Sequence, residues 1–462
     1  MALAKAYIGE QVLKQGLRFL SQNPERNINI LLDWAERIAI LKRHKEQVRA
    51  IKRILAPEDS VWRKFAIRML KECNPRVKEK LAVNFFVNAS LLGVAKQEQV
   101  AREIGMSVPF TLLIDPTARC NLRCTGCWAG EYEAKDDLDT ATIDRIISEG
   151  KEMGIYFIVM SGGEPLLRKD DILALAEKHD DVAFMVYTNA TLVDEKFAED
   201  LARLGNVVMA ISLEGFEEAT DNRRGKGVYK KIMNAMDLLR SKGIVFGAST
   251  TYMRSNFEEV SSDAFVDMLV EKGCRFAWYF TYIPVGIDAD VELMATPEQR
   301  ARMFQRIQYF RKTRPIFLID FWNDGEASNG CIAGGKRYLH INAAGEIEPC
   351  AFIHFATHNI KGLSLKEALQ TPLMKSYQKR QPFNTNLLRP CPLIDNPEML
   401  REIVEESGAH STQKRLDGGV VGLTESLIGY SREWGEKADA IWKQKKEAAN
   451  SNIDEQVAVA SH

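Results

Sequence analysis

The sequence predicts an α/β protein: a parallel sheet of six strand and helix units, with a helical region before it and a small cysteine-bearing region after it. Three observations predict this. Short apolar, β-branched runs near 111–115, 155–160, 182–188, 206–212, 244–251 and 275–282 alternate with helical patterns near 140–153, 169–179, 194–204, 227–242 and 257–272, the rhythm of parallel β/α units. Residues 1 to 108 show helical periodicity and no strand-like run. Cys120, Cys124 and Cys127 follow the first strand directly, and Cys331, Cys350 and Cys391 lie beyond the last unit.

In the helical region, Leu31, Trp34, Ala35, Ile38 and Leu41 recur at i, i+3, i+4 and i+7, and Val48, Ile51, Ile54 and Leu55 continue the stripe. Asn74-Pro75 offers an N-cap and an N1 proline for a further helix. The stripe reads first as a helical cap on the main domain. Lys42, Arg43, Lys45, Arg49, Lys52 and Arg53 flank it, so the second reading is peripheral contact with an anionic bilayer.

With 462 residues, 45% of them hydrophobic and 27% charged, the chain can bury the cores of two or three domains. A formal net charge of −1 gives no overall attraction to nucleic acid, although the first 80 residues carry 18 Lys+Arg against 9 Asp+Glu. Eight cysteines, three of them packed within eight residues, suit a reducing compartment better than a disulfide framework. There is no secretory h-region and no run of 18 apolar residues, so the expected location is cytoplasmic, soluble or membrane-peripheral. The polar last dozen residues read as a disordered tail.

The chemistry centres on Cys120-Asn121-Leu122-Arg123-Cys124-Thr125-Gly126-Cys127. Thiolates at this spacing on a loop can converge on one metal centre, and three of them leave one coordination position for something else. Zinc sites usually show paired Cys-x2-Cys units with four ligands, and no fourth Cys or His lies close by. The pattern resembles the Cys-x3-Cys-x2-Cys signature of the radical S-adenosylmethionine (SAM) enzymes. The resemblance implies a 4Fe-4S cluster on Cys120, Cys124 and Cys127, with SAM on the fourth iron and reductive cleavage to a 5'-deoxyadenosyl radical. Its fold is an open, partial (β/α)6 barrel, whose functional groups gather at the C-terminal strand ends. Gly126 and Trp128 flank the third cysteine, where the family often has an aromatic residue before it.

After the second strand comes Ser161-Gly162-Gly163-Glu164-Pro165, similar to the family's GGE motif, whose backbone contacts the SAM amino group. Asn189 at the end of the third strand, and Ser212 and Glu214 at the end of the fourth, match positions that bind the ribose and the methionyl carboxylate; the family often has Asp in place of Glu214. Arg223 and Arg224 before Gly225 resemble an Arg-Gly element, and a guanidinium suits a carboxylate. The SAM-binding set is therefore Gly162, Gly163, Glu164, Asn189, Ser212, Glu214 and Arg223.

Beyond the barrel, Asn342-Ala343-Ala344-Gly345-Glu346 reads as a hairpin turn between Tyr338–Ile341 and Ile347–Glu348. With Cys331, Cys350 and Cys391 it resembles the SPASM or Twitch extension, which binds auxiliary 4Fe-4S clusters. Three cysteines match one cluster with an open iron or a non-cysteine fourth ligand; the alternative is buried free thiols. Cys73 and Cys274 read as core residues, and Trp434, Ile441 and Trp442 as helix packing. The expected division is 1–108 helical, 109–315 radical SAM barrel, 316–400 auxiliary-cluster extension and 401–462 helices and tail.

The implied function is a radical SAM oxidoreductase that abstracts hydrogen from an unactivated C–H bond. A lipid or long acyl chain is preferred as substrate over a ribosomal peptide, on the basic helices and on Phe276, Trp278, Phe280 and Tyr282, which either line an apolar tunnel or fill the core. The expected electron donor is a flavodoxin or ferredoxin, and no nucleic-acid partner is expected. Two rivals are a non-enzymatic iron-sulfur or zinc-binding scaffold and a Rossmann-type methyltransferase; the latter would place a Gly-rich loop where the cysteines stand.

Overall fold

A computed structural model describes residues 2–38, 42–129, 136–413 and 416–460. Apolar runs separated by helices give β1 (Thr111–Ile114), β2 (Phe157–Met160), β3 (Ala183–Thr188), β4 (Val207–Ser212), β5 (Phe246–Tyr252) and β6 (Phe276–Thr281). All six lie side by side in sequence order and pair in parallel, from Leu112↔Ile158 through Ser249↔Trp278. Helices fill the intervals, as the periodicity predicts; the last interval is split into Phe257–Val260 and Asp263–Lys272.

Two features extend this sheet. A seventh strand, β7 (Phe317–Asp320), adds in parallel to β6 at one edge. At the other edge the predicted hairpin, β8 (Tyr338–Ile341) and β9 (Ile347–Glu348), closes around Gly345, which has φ +93°. β8 pairs in parallel with β1, Leu113 opposite His340. The sheet does not close on itself: β7 and β9 are its ends. The cysteine-bearing hairpin is thus hydrogen-bonded directly to the strand that leads into the first cysteine loop.

The helical region packs under the N-terminal ends of the strands. Asn74 caps its helix by accepting from the Arg76 N–H, with Pro75 at N1. A π-helix, Ala82–Gly93, sets Phe85 edge-on against Phe110 and Phe157, and Asn84 Nδ2 donates to the Asp180 and Val182 carbonyls just before β3. Arg68 donates to the Val270 and Pro315 carbonyls. This is the cap reading, at the barrel end opposite the cysteine loop. The side chains of Ile38, Lys42 and Arg43, and all of Leu41, fall outside the described residues. Ile30, Trp34, Ile51 and Ile54 are exposed.

At the other end of the chain, Trp434 is buried, donates from Nε1 to the Leu388 carbonyl and stacks on the Arg300 guanidinium 4.1 Å away. The last dozen residues depart from the expected disordered tail: helix Ile428–Ala460 continues through most of them. Among the described residues no helix is long and apolar enough to cross a membrane.

Candidate functional site

The cysteine loop is built from three sides. Cys120 Sγ accepts the Leu122 N–H at 3.4 Å. Thr125 N–H donates to the Arg223 carbonyl, and the Arg223 side chain returns the contact through Nε to the Thr125 carbonyl at 3.2 Å and Nη2 to the Gly126 carbonyl at 3.4 Å. Arg224 Nη1 lies 3.8 Å from Cys124 Sγ. Gly126 sits at φ +62°, and a Cβ there would stand 2.6 Å from the Tyr282 ring, so the turn beside the third cysteine requires glycine.

The Gly-Gly-Glu turn is bound to this loop by backbone. Gly163 N–H donates to the Thr117 carbonyl and Glu164 N–H to the Arg119 carbonyl. A Cβ on Gly163 would fall onto the Ala118 and Arg119 carbonyls, so the two segments touch along their main chains. Since these N–H groups are used, the turn offers acceptors: among the described residues no hydrogen bond reaches the Gly162 or Gly163 carbonyl. The Glu164 carboxylate is buried. It accepts from Leu166 N–H, Thr188 Oγ1 and Asn189 N–H at 2.6–3.0 Å and braces the ends of β2 and β3, and its burial pushes its pKa up.

Asn189 reaches back to the cysteine loop, Nδ2 donating to Asn121 Oδ1 at 2.8 Å, while its Oδ1 accepts from Thr191. Ser212 ends β4 half-buried. Glu214 is fully buried and already paired: Arg223 Nη1 lies 2.7 Å from Oε1, Arg224 binds the same oxygen, and Thr251 N–H donates to Oε2. Burial opposes its ionisation, yet the two guanidiniums hold its pKa below the usual carboxylate range. Glu214 therefore holds the two arginines that clamp the cysteine loop.

The structure also gathers the second set. Tyr338 OH donates to Cys350 Sγ at 2.7 Å, and Cys331 Sγ lies 3.3 Å from Tyr377 OH. Each sulfur accepts the N–H two residues on, from Ala333, Phe352 and Leu393, at 3.4–3.5 Å. Cys120 has the same bond, and Cys127 a comparable one from Ala129. Such N–H···S bonds stabilise thiolate on an iron-sulfur cluster. Cys73 meets Met69 Sδ instead and is buried with Cys274 in the core. Burial pushes Cys120 and Cys350 up to about 12 and raises Cys127, Cys331 and Cys391, so as free thiols these are protonated and a metal would have to displace the protons. A single ion needs its thiolates within about 2.3 Å of one point; among the described residues no three His, Cys, Asp or Glu are so arranged.

Between the two cysteine sets lies an aromatic wall. Trp128, next to Cys127, packs on Phe352, two residues past Cys350, with centroids 5.6 Å apart. Phe352 continues to Phe280 and Trp322, and Phe280 stacks on Phe321 at 4.6 Å. Beneath Trp128, His340 is buried between two carboxylates, Nε2 2.9 Å from Asp115 and Nδ1 2.7 Å from Glu348. Burial alone would lower the His340 pKa; Asp115 and Glu348 outweigh it and hold it at about 10. Sequence reasoning missed this triad, whose members stand apart in the chain and belong to no motif.

Residues 114–265 match the family model of the Radical SAM superfamily. Over that segment, about a third of its length, the chain carries a domain of that superfamily. Its members are enzymes whose cofactors are a 4Fe-4S cluster and SAM. The AdoMet-dependent heme synthase of Methanosarcina barkeri is 26% identical over 290 residues, 56% of this chain and 82% of that protein. The Fe-coproporphyrin III synthase of the same organism is 31% identical over 160 residues, 34% of this chain and 40% of its own length. Among solved structures, Streptococcus suis SuiB bound to S-adenosylmethionine superposes with a TM-score of 0.55 at 17% identity, covering 72% of this chain and 88% of that one. SuiB bound to its precursor peptide SuiA gives 0.54 at 17% identity, covering 74% and 81%. These superpositions establish a shared fold.

Proposed function

We propose that Cys120, Cys124 and Cys127 hold the SAM-binding 4Fe-4S cluster, that Cys331, Cys350 and Cys391 hold one auxiliary cluster, and that a C–H bond of an apolar substrate is attacked in the space between them. When bound, the cluster and SAM supply the 5'-deoxyadenosyl radical that takes the hydrogen. The chain's own residues position and shield it. Gly162 and Gly163 present carbonyls to SAM, Asn189 and Ser212 stand at the adjoining strand ends, and Glu164, Glu214 and Arg223 fix the backbone around them. A reduced flavodoxin or ferredoxin supplies the electron, in a cytoplasmic setting. The proposed division places the barrel at 109–315 and the auxiliary extension at 316–400.

The observation that carries the substrate reading is the run Trp128, Phe352, Phe280, Phe321, which spans from one cysteine set to the other and offers ring faces rather than charges. That surface suits a lipid or acyl chain, which gains about 0.8 kcal/mol per buried methylene. Exposed Ile30, Trp34, Ile51 and Ile54 beside Arg37 and Arg53 support peripheral contact with an anionic membrane. The second reading, a peptide substrate, is supported by the likeness to SuiB, a structure of which holds a precursor peptide.

The test is anaerobic: reconstituted, reduced protein with SAM is mixed with phospholipid vesicles, with candidate peptides or with a tetrapyrrole, the last after the names of the two archaeal relatives. The lipid reading expects 5'-deoxyadenosine formation, with hydrogen transfer from the acyl chain, to rise with vesicles. A rise with peptide or tetrapyrrole alone overturns it. Flotation with anionic vesicles tests the membrane contact separately.

A further inference from the structure

In the Asp115, His340, Glu348 triad one buried oxygen is left over. Glu348 is fully satisfied: Oε2 faces His340 at 2.7 Å, and Oε1 accepts from Asn342 Nδ2 at 2.9 Å and from Thr412 Oγ1 at 2.5 Å. Both His340 nitrogens are used. Asp115, 5% exposed, gives Oδ2 to His340, while its Oδ1 has no hydrogen-bond partner. Two carboxyl groups flank one imidazole ring, and a buried oxygen left without a donor is costly unless something answers it.

The place of that oxygen indicates what answers it. Leu112 packs outward on the helix that contains Gly150, so the alternation along β1 turns Leu113 and Asp115 into the barrel. Asp115 lies directly over the Gly-Gly turn: a Cβ on Gly162, which has φ +101°, would stand 2.9 Å from Asp115 Cβ and 3.2 Å from its Cγ. Asp115 Oδ1 thus belongs to a buried carboxylate beside the Gly162–Gly163 turn, whose two carbonyls likewise have no partner among the described residues. SAM offers one group that donates several hydrogen bonds and carries a positive charge on nitrogen, its α-ammonium. We propose that Asp115 is a SAM-binding residue, that its Oδ1 accepts from that ammonium, and that His340 is the positioning residue that turns the carboxylate toward it. This rests on the SAM site at the Gly162–Gly163 turn and adds a charged anchor to it.

The experiment compares SAM with an analogue whose α-amino group is replaced by hydrogen, both binding to anaerobically reconstituted protein. Equilibrium dialysis gives affinity, and the change in the reduced-cluster EPR spectrum reports placement. Wild-type protein should prefer SAM. Asp115→Asn, nearly isosteric, should weaken SAM about tenfold or more, the scale of a charge-assisted hydrogen bond, and leave the analogue unchanged. Asp115→Glu, which keeps the charge, should fall between. Iron content equal to wild type shows that the cluster is still loaded. An unchanged SAM-to-analogue ratio in both variants overturns the proposal. Failure of loaded wild-type protein to bind SAM would instead sink the reading of the turn as a SAM site.

Discussion

Trp128 and Phe352 meet with ring centroids 5.6 Å apart and planes at 58°, joining the residue after the third cysteine of the first loop to the residue two past Cys350. Neither belongs to a cysteine motif, yet their contact joins the two cysteine-bearing loops. Phe352→Ala removes the shared ring while leaving both loops in place. The expected outcome is unchanged slow formation of 5'-deoxyadenosine without substrate and loss of most of the substrate-stimulated part. Equal loss of both parts would show that the ring serves the cluster loops rather than the substrate.

The Glu214 carboxylate is the counter-charge for two buried guanidiniums. Removing one partner of such a buried set leaves charge uncompensated and costs about 3–5 kcal/mol. Glu214→Gln should lower the urea midpoint accordingly. It should also loosen the cysteine loop that Arg223 and Arg224 hold, seen as lower iron retention after desalting. Glu258 with Arg302 forms a largely exposed pair, so Glu258→Gln is the control and should shift neither measurement. A Glu214→Gln midpoint equal to that control refutes the clamp.

How far the sequence reached follows from these cases. The strands, the cysteine loop and the hairpin at Gly345 were legible because each is local: a run of apolar residues, a spacing, a turn residue with positive φ. Strand β7, Phe317–Asp320, is as long as β1 and β2, but only the short helix Gly325–Ser328 follows it, so the β/α alternation does not mark it as a unit. Glu214 could be placed at a strand end but not given its partners, because only the return of helix Glu217–Arg224 brings two arginines onto it. Asp115 and His340 are 225 positions apart. Nothing local marks them, and they meet because β8 pairs with β1, a long-range pairing that no periodicity encodes.

Iron counting separates the two cysteine sets. Cys350→Ala should take reconstituted protein from about eight iron per chain to about four and leave the SAM-induced EPR change intact. Cys124→Ala should abolish that change and keep about four iron on the second set. Iron content unchanged in Cys350→Ala would return Cys331, Cys350 and Cys391 to the reading as buried thiols.

Asp320 makes a prediction about pH. Burial, and then the Asp324 carboxylate beside it, push the Asp320 carboxyl up to about 7, while Asn323 Nδ2 donates to Oδ2 at 2.6 Å and Oδ1 lacks a hydrogen-bond partner. Unfolded, the group titrates near 3.9. Between about pH 4 and 7 the folded state thus binds the extra proton, so this group's contribution to stability is greatest at acid pH, falls by at most about 1.4 kcal/mol per pH unit across that window, and levels off above it. Asp320→Asn cannot ionise and should lack the decline. Urea midpoints at pH 5, 6, 7 and 8 should therefore fall more steeply for wild type than for the variant, with the curves parallel above pH 7. Parallel curves across the whole range would mean that Asp320 stays ionised under its helices, and that a donor other than Asn323 answers its charge.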